Sequence, residues 1–191
     1  MLYDQSGNRK YLVREERIAF ITAANACEIQ VKSFCLTLAY TGGRISEVLA
    51  LVPRRVDVAA GGVILETLKR RHRGIYRFIP VPTSLLEVME DAHGLSKLNA
   101  DDPGLDLPLW PWCRTTAWTR VKEVMLSAGL DGHRAMPKGL RHSLGVLGTV
   151  DEGVPLNMMQ RWLGHARIET TSIYATAVGA KERELASRLW S

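Results

Sequence analysis

Residues 29–40, with the sequence IQVKSFCLTLAY, most strongly constrain how this chain folds. The run has the length of a helix and is almost entirely apolar, and a helix that is hydrophobic on every side is stable in water only when other elements surround it. Thr41-Gly42-Gly43 then interrupts the pattern, because glycine readily adopts the backbone conformations that end a helix. We therefore predict a central helix that ends at a bend, with the rest of the chain packed around it.

The length of 191 residues and the hydrophobic content of 46% favour one well-packed domain. Uncharged apolar runs such as residues 33–43 are far shorter than the roughly 20 residues that cross a bilayer, and the first residues lack the pattern of a signal peptide. Cys27, Cys35 and Cys113 are odd in number and form no CxxC pair, which disfavours a disulfide framework and a zinc site. We expect a cytoplasmic protein that does not associate with membranes.

Helical periodicity dominates the chain, and one hairpin interrupts it. Residues 63–65 and 75–79 read as two strands, with Lys69 near the tip between them. Helices are predicted over residues 14–26, 29–40, 116–128 and 181–190, and a short helical turn is predicted after Arg44. Three more helices are predicted to begin near Pro137, Pro155 and Ile168. The predicted fold class is therefore mainly α with a small antiparallel β-sheet, an α+β arrangement.

Two further local patterns refine this prediction. Ser84-Leu85-Leu86-Glu87 reads as a capping box that opens a helix ending near Gly94, and residues 95–111 read as a loop. The apolar stripe of the helix over residues 116–128 is expected to consist of Trp118, Val121, Val124 and Met125.

Basic residues are concentrated in two windows without acidic residues, although the formal net charge is only +5. The window over residues 67–86 contains Lys69, Arg70, Arg71, Arg73 and Arg77. The window over residues 132–150 contains Arg134, Lys138 and Arg141. Solvated surfaces normally mix both signs, so these windows indicate an anionic partner with a phosphate backbone.

Several side chains in these windows suit phosphoryl chemistry, and each also has a simpler explanation. Arg44 follows a glycine pair, and taken alone it is best explained as a helix-capping arginine paired with Glu47. Lys69 at a hairpin tip has the simpler role of touching a DNA backbone. Lys138 and Arg141 are three residues apart near a helix N-terminus, so both lie on one face where backbone amides also favour an anion.

The last quarter of the chain adds an imidazole and a phenol. We expect His142 to point elsewhere on the helix of Arg141, as a structural histidine. His165 follows Gly164 after an apolar helix, where packing of the turn is the simpler role. Tyr174 lies on an amphipathic segment, where an isolated tyrosine usually belongs to the core or the surface. The joint occurrence of these residues in order outweighs the separate explanations.

In order and spacing, four motifs resemble the catalytic domain of the tyrosine recombinases, also called the phage integrase family. The motifs are residues 40–51 (YTGGRISEVLAL), Lys69, residues 137–142 (PKGLRH), and Leu163-Gly164-His165 with Tyr174 nine residues later. The likeness begins at about residue 11, which makes residues 11–191 the expected catalytic domain and residues 1–10 a lead-in or linker. It implies a mainly helical fold with a small sheet, in agreement with the pattern above.

This resemblance implies a site-specific recombinase that cleaves and rejoins double-stranded DNA. In such enzymes the tyrosine attacks the scissile phosphate, which gives a 3′-phosphotyrosyl link and a free 5′-hydroxyl without ATP, metal or another cofactor. The matching nucleophile is Tyr174. Arg44 and Arg141 are suited to clamp the nonbridging oxygens, and His165 to hydrogen-bond one of them. The matching role of Lys69 is protonation of the departing 5′-oxygen.

The position most often occupied by histidine in the family is Lys138 here. An ammonium group cannot accept a proton, so Lys138 is expected to contact phosphate, and the proton acceptor for Tyr174 is not assigned. Glu47 matches an acidic residue that orients the basic cluster. Arg70, Arg71, Arg73 and Arg77 are expected to contact DNA.

The resemblance also bears on domain organisation and assembly. The N-terminal core-binding domain of most integrases is expected to be absent, as in an isolated catalytic domain or a naturally short recombinase. Residues 181–191 are expected to form a terminal helix that docks on a neighbouring protomer, within a tetramer on DNA, or that folds back on its own domain. Accessory DNA-bending proteins are further expected partners. Two other functions stay open: a type IB topoisomerase and a non-catalytic DNA-binding regulator.

Overall fold

The computed structural model describes residues 2–68 and 74–175 of the chain. These residues form a mainly helical fold with one small antiparallel sheet, which confirms the predicted fold class. The helices are α1 Arg14–Asn25, α2 Ile29–Thr41, α3 Ile45–Leu49, α4 Thr83–His93, α5 Arg114–Ser127, α6 Pro137–Val146, α7 Leu156–Leu163 and α8 Glu169–Ala175. The strands are β1 Val56–Asp57, β2 Gly62–Glu66 and β3 Tyr76–Pro80.

Helix α2 is the centre of the fold, as its apolar sequence predicts. Most of its residues from Ser33 onward are buried, and the helix contacts α1, α4 and α6. Its first turn is capped by Glu28, whose carboxylate accepts hydrogen bonds from the backbone amides of Gln30 and Val31 at 2.9 and 3.3 Å. Gly42 ends the helix in the left-handed conformation, with φ of 58°. The bend after α2 therefore fixes the direction in which α3 begins.

The three strands are antiparallel in the order β1-β2-β3, and β2 and β3 form the predicted hairpin. Val63 pairs with Ile79 and Leu65 with Arg77. Strand alternation places Arg77 and Ile79 on the buried face of β3, whereas the aromatic rings of Tyr76 and Phe78 lie on the exposed face. The arginine of this strand thus points into the protein.

Three local predictions were wrong or incomplete. The capping box at Ser84 does not form, because α4 begins one residue earlier, after Pro82, and its N-terminus has no side-chain cap. Trp118 is 43% exposed, and the buried stripe of α5 has Ala117 in its place. The loop over residues 95–111 contains two short 3₁₀ turns, and its Trp110 donates a hydrogen bond of 3.0 Å to Ser33 of α2.

A second, smaller apolar cluster lies beside α6, α7 and α8. It consists of Leu2, Val146, Met159, Leu163 and Tyr174. The predicted lead-in over residues 1–10 is described from residue 2 onward, and Leu2 is buried in this cluster. The predicted helix over residues 181–190 lies outside the described residues. Among the helices of the described part of the chain, none is long and apolar enough to cross a membrane.

Candidate active site

Arg44 lies at the bend between α2 and α3, where its backbone and side chain both contact Glu47. The backbone amide of Arg44 donates to one oxygen of the Glu47 carboxylate at 3.0 Å, and its Nη1 donates to the other at 2.6 Å. The capping arrangement expected for this pair is therefore present. Arg44 is the N-cap residue of α3, and its side chain, which keeps 31% of its surface exposed, lines the cleft described below.

Arg141 on α6 holds together the ends of two other helices. Its guanidinium donates to the carbonyl oxygen of Gly42 at 2.8 Å and to that of Leu163 at 2.6 Å. These carbonyls belong to the C-terminal ends of α2 and α7, which attract a cation. Burial, followed by repulsion from Arg44, lowers the Arg141 pKa to about 10. The guanidinium is still charged near neutral pH, and it is fixed in place by backbone groups.

Lys138 is exposed one turn before Arg141 and lines the same cleft. His142 lines it too, which corrects the expectation that its ring points elsewhere on α6. Residues 138, 141 and 142 are separated by three and four positions, and this spacing places all of them on one helical face. The sequence therefore contained the signal for His142.

His165 follows Gly164, the left-handed residue that ends α7. Its Nδ1 lies 2.9 Å from the hydroxyl oxygen of Thr171 on α8, which leaves Nε2 for another partner. Burial and then the charge of Arg141 lower the His165 pKa to about 3, so the ring is neutral near pH 7. Its plane stacks on the Tyr174 ring at a centroid separation of 6.2 Å.

Tyr174 on α8 lies between the two histidines. Its hydroxyl oxygen is 3.1 Å from Nδ1 of His142, and the residue is only 1% exposed. Burial raises the Tyr174 pKa, although the charges of Arg141 and Arg44 act in the opposite direction. The phenol is therefore protonated near neutral pH, and it has a nitrogen partner already in place.

Arg77 is the residue whose predicted role the structure contradicts. We expected it to contact DNA, but its side chain is buried and its guanidinium binds three protein groups. Its guanidinium donates to Glu47 at 2.6 Å, to the Thr67 hydroxyl at 2.9 Å and to the Trp162 carbonyl at 2.8 Å. Arg77 lies on the buried face of β3, which it shares with Ile79. Arg77 thus binds the Glu47 carboxylate and helps to hold it in place.

The structure contains an open cleft of about 660 Å³ at these helix ends. Its lining includes Arg44, Lys138, Arg141, His142, His165 and Tyr174. Arg114 and Trp118, one turn apart on α5, also line it. This role of Trp118 could not be predicted from the sequence, because its spacing also fits the buried stripe of α5.

Four predicted residues of the hairpin tip, Lys69, Arg70, Arg71 and Arg73, lie outside the described residues. Leu68, the last described residue before them, lines the cleft. In the part of the chain that the structure describes, no group of three His, Cys, Asp or Glu side chains is arranged to hold a metal ion.

The chemistry available in this cleft is that of anion binding beside a hydroxyl group. Two fixed guanidinium groups and a lysine provide positive charge and hydrogen-bond donors for a phosphate. A neutral imidazole and a phenol lie between them. This arrangement can bind a phosphodiester and present the phenolic oxygen to its phosphorus atom.

The model described as the phage integrase family matches residues 10–180 of this chain. The tyrosine recombinase XerD of Yersinia pestis is 28% identical over 166 residues, which are 83% of this chain and 53% of the XerD chain. The chain thus spans about half the length of that relative.

Solved structures of recombinases share the fold. The XerH recombinase bound to its difH substrate in a pre-cleavage complex superimposes with a TM-score of 0.76 at 19% identity, over 99% of this chain and 60% of XerH. A lambda integrase tetramer bound to a Holliday junction gives a TM-score of 0.64 at 15% identity, over 86% of this chain and 47% of the integrase.

Proposed function

Because the chain belongs to the phage integrase family, we propose that it is a site-specific DNA recombinase that cleaves and rejoins strands through a 3′-phosphotyrosyl intermediate. The observation that carries this proposal is the convergence of Arg44, Arg141, His165 and Tyr174 on one cleft. These residues come from four separate helices or helix ends, and the fold positions them together around a buried phenol.

Tyr174 is the nucleophile of this reaction. Its hydroxyl oxygen attacks phosphorus while the bond from phosphorus to the 5′-oxygen breaks. The bond energy is kept in the protein–DNA link, so a second 5′-hydroxyl can attack that link and rejoin the strands. Since Tyr174 is only 1% exposed, a scissile phosphate reaches its oxygen only after the groups that cover the ring move.

Arg44 and Arg141 bind the nonbridging oxygens, which gain negative charge in the transition state. Both guanidinium groups are positioned before DNA binds, Arg44 by Glu47 and Arg141 by the carbonyls of Gly42 and Leu163. Fixed donors of this type lower a barrier by about 3 to 4 kcal/mol each. Lys138 is a further phosphate contact at the rim.

His165 supports the same oxygens as a neutral hydrogen-bond donor. Its Nδ1 faces the Thr171 hydroxyl, so a proton on Nε2 can be donated to a phosphate oxygen. Lys69 protonates the departing 5′-oxygen, and Arg70, Arg71 and Arg73 contact the DNA backbone beside it.

Strand exchange between two duplexes involves four cleavage positions, so we propose a tetramer on DNA, in which each protomer supplies one nucleophile. The lambda integrase tetramer on a Holliday junction supports this assembly for a chain of the same fold. The terminal helix predicted over residues 181–190 is the segment we propose to join protomers. A chain that ends at residue 180 is then expected to cleave DNA but to form no tetramer on it, as measured by mass in solution and on a duplex.

The test of function uses nicked duplexes with a randomised sequence on both sides of the nick. Cleavage near the nick releases a short fragment, so the phosphotyrosyl adduct cannot be reversed and accumulates. Adducts are separated under denaturing conditions, digested with protease and sequenced to recover the preferred site. We expect the wild-type chain to form an adduct on a limited set of sequences, and Tyr174→Phe to form none.

Three results would count against this assignment. Adduct formation that persists in Tyr174→Phe would show that another residue is the nucleophile. Absence of any adduct with wild-type protein, together with retained DNA binding, would favour the non-catalytic regulator. Relaxation of supercoiled DNA irrespective of sequence would favour the topoisomerase over the recombinase.

A further inference from the structure

The hydroxyl of Tyr174 lies next to a histidine that is separate from the four residues used above. Nδ1 of His142 is 3.1 Å from the Tyr174 oxygen, and the two ring centroids are 5.8 Å apart. His142 is carried by α6, the same helix that carries Arg141, and Gly145 one turn later lies against the Tyr174 ring. The contact is therefore fixed by the packing of α6 on α8.

The direction of this hydrogen bond follows from the chemistry of the two groups. A phenol is a better donor than acceptor, and a neutral imidazole has one nitrogen with a free lone pair. Burial, followed by the charges of Lys138 and Arg141, lowers the His142 pKa to about 4. The ring is therefore neutral near pH 7, and Nδ1 is able to accept the phenolic proton.

We propose that His142 is a catalytic residue that accepts the proton of Tyr174 as the phenolic oxygen attacks DNA. This proposal rests on the proposed function. In the forward step the bond between Oη and phosphorus forms, the Oη–H bond breaks, and the proton moves to Nδ1 of His142. The bond between phosphorus and the 5′-oxygen breaks, and Lys69 protonates that oxygen. In the rejoining step the same proton returns from His142 to the released Tyr174.

The low basicity of the free imidazole is compatible with this step. The proton becomes acidic only as the phenolic oxygen bonds to phosphorus, so the transfer coincides with attack and does not precede it. A bound phosphodiester also places negative charge beside Lys138 and Arg141, two of the cations that lower the pKa of the ring. DNA binding therefore makes His142 more basic at the moment when its lone pair is used.

Other nearby groups are less suited to this role. The ammonium of Lys138 has donors but no acceptor. The guanidinium groups of Arg44 and Arg141 are not deprotonated in proteins, so they cannot accept a proton either. Nδ1 of His165 is already engaged with the Thr171 hydroxyl. His142 thus fills the role of proton acceptor that the lysine at position 138 leaves vacant.

The test compares two replacements of His142, of which one keeps the ability to accept a hydrogen bond and the other does not. In His142→Asn the side-chain amide reaches the former position of Nδ1, so it can accept a hydrogen bond but not a proton. In His142→Phe the ring volume is kept and both abilities are lost. The rate measured is that of single-turnover adduct formation on a nicked duplex with the preferred site recovered by adduct sequencing. We expect both variants to be slower by about a hundredfold or more, which is the usual contribution of a proton-transfer group.

A wild-type rate in His142→Asn would overturn the proposal, because a hydrogen bond that orients Tyr174 would then be sufficient. Absence of adduct in the wild-type chain itself would instead reject the recombinase function, so the two failures are distinguishable. Thermal unfolding of each variant checks that the fold is retained.

A duplex with sulfur in place of the bridging 5′-oxygen distinguishes the role of His142 from that of Lys69. A thiolate leaves without being protonated, so this substrate restores the rate of Lys69→Ala. We expect the defect of His142→Asn to persist, because its missing step lies at the nucleophile. Recovery of the His142→Asn rate on this substrate would place His142 at the leaving group and overturn the proposal.

A measurement on the unaltered chain does not depend on how the variants fold. ¹⁵N spectra of histidine-labelled protein distinguish a nitrogen that carries a proton from one with a free lone pair. We expect His142 to carry its proton on Nε2, and the Nδ1 signal to shift in Tyr174→Phe, where the hydrogen bond is lost. A proton on Nδ1 at neutral pH would contradict the proposal.

Discussion

The guanidinium of Arg77 donates a hydrogen bond of 2.6 Å to the carboxylate of Glu47, and both side chains are buried. The other carboxylate oxygen accepts from Arg44 at the same distance. Arg77 also bonds the backbone carbonyl of Trp162, shortly before His165. One buried arginine thus joins the segment that positions Arg44 to the segment that positions His165, although it does not reach the cleft.

We expect Arg77→Met to lower both stability and cleavage. Removing one partner of a buried ion pair usually costs about 3 to 5 kcal/mol, and Glu47 then keeps Arg44 as its charged partner. Glu47 would then lose the support with which it orients Arg44, so adduct formation should also slow. The measurements are the free energy of unfolding in urea and the single-turnover adduct rate.

The double variant Glu47→Gln with Arg77→Met is the control for this pair. It also removes the buried carboxylate charge that Arg77 had neutralised, so we expect it to regain part of the lost free energy of unfolding. Its adduct rate should stay low, because Arg44 then lacks its charged partner. Equal recovery of stability and rate would indicate that Arg77 acts on the fold alone.

Gly145 on α6 is expected to be intolerant of any side chain, for a reason specific to the nucleophile. A Cβ atom at this position would lie 2.6 Å from the Tyr174 ring. Overpacking of this kind costs about 1 to 3 kcal/mol, whereas alanine is favoured over glycine within a helix by about 1 kcal/mol. Gly145→Ala should therefore fold with a net loss of at most about 2 kcal/mol, and it should displace Tyr174.

Misplacement of a reacting group by about 1 Å can lower a rate on the order of a hundredfold. We expect a loss of this size in adduct formation by Gly145→Ala. Gly148→Ala is a matched control, because its new methyl group meets the flexible Met159 side chain at 2.9 Å and not the nucleophile. A slow Gly148→Ala and a normal Gly145→Ala would contradict the packing seen here.

Trp118 is expected to contribute to DNA binding, because a large apolar side chain lies exposed at the wall of a basic cleft. Trp118→Ala should weaken binding by about 1 kcal/mol, or roughly fivefold in Kd. Affinity is measured by fluorescence anisotropy on the recovered duplex, in the Tyr174→Phe background. Leu126→Ala is the control, since Leu126 is exposed on the same helix and is not among the cleft-lining residues. Equal effects of both replacements would contradict a local role for Trp118.

Much of this fold could be predicted from the sequence, because local rules decide most of its elements. An apolar run requires a central position, and the glycine after it ends the helix, so α2 and the bend before Arg44 followed directly. The capping box at Ser84 failed because Pro82 imposes an extended backbone just before α4, and the helix therefore begins at residue 83.

The errors at the site arose from contacts between distant segments. Whether Arg77 points inward or outward depends on which face of β3 meets the core, and alternation alone allows either choice. Trp118 fits both an apolar stripe and an exposed position, since its partners belong to other elements. The contact between His142 and Tyr174 spans 32 positions, although the spacing from Lys138 already placed the histidine on the correct face of α6.

The last prediction concerns acid sensitivity. His93, His142 and His165 have pKa values lowered to about 4, 4 and 3, with burial as the main cause of each. A histidine in the unfolded chain has a pKa near 6.5. Between about pH 6.5 and 4 the unfolded chain therefore binds protons that the folded chain does not, and the free energy of unfolding falls as the pH falls.

Each of these histidines contributes a slope of about 1.4 kcal/mol per pH unit within that window, and above it the contribution vanishes. Urea unfolding at a series of pH values from 8 to 4.5 measures the total slope. His142→Phe removes one titrating group and should reduce the slope by about one proton, whereas Tyr174→Phe should leave it nearly unchanged. A slope that is the same in His142→Phe and the wild-type chain would mean that His142 accepts a proton in the folded state as readily as in the unfolded one.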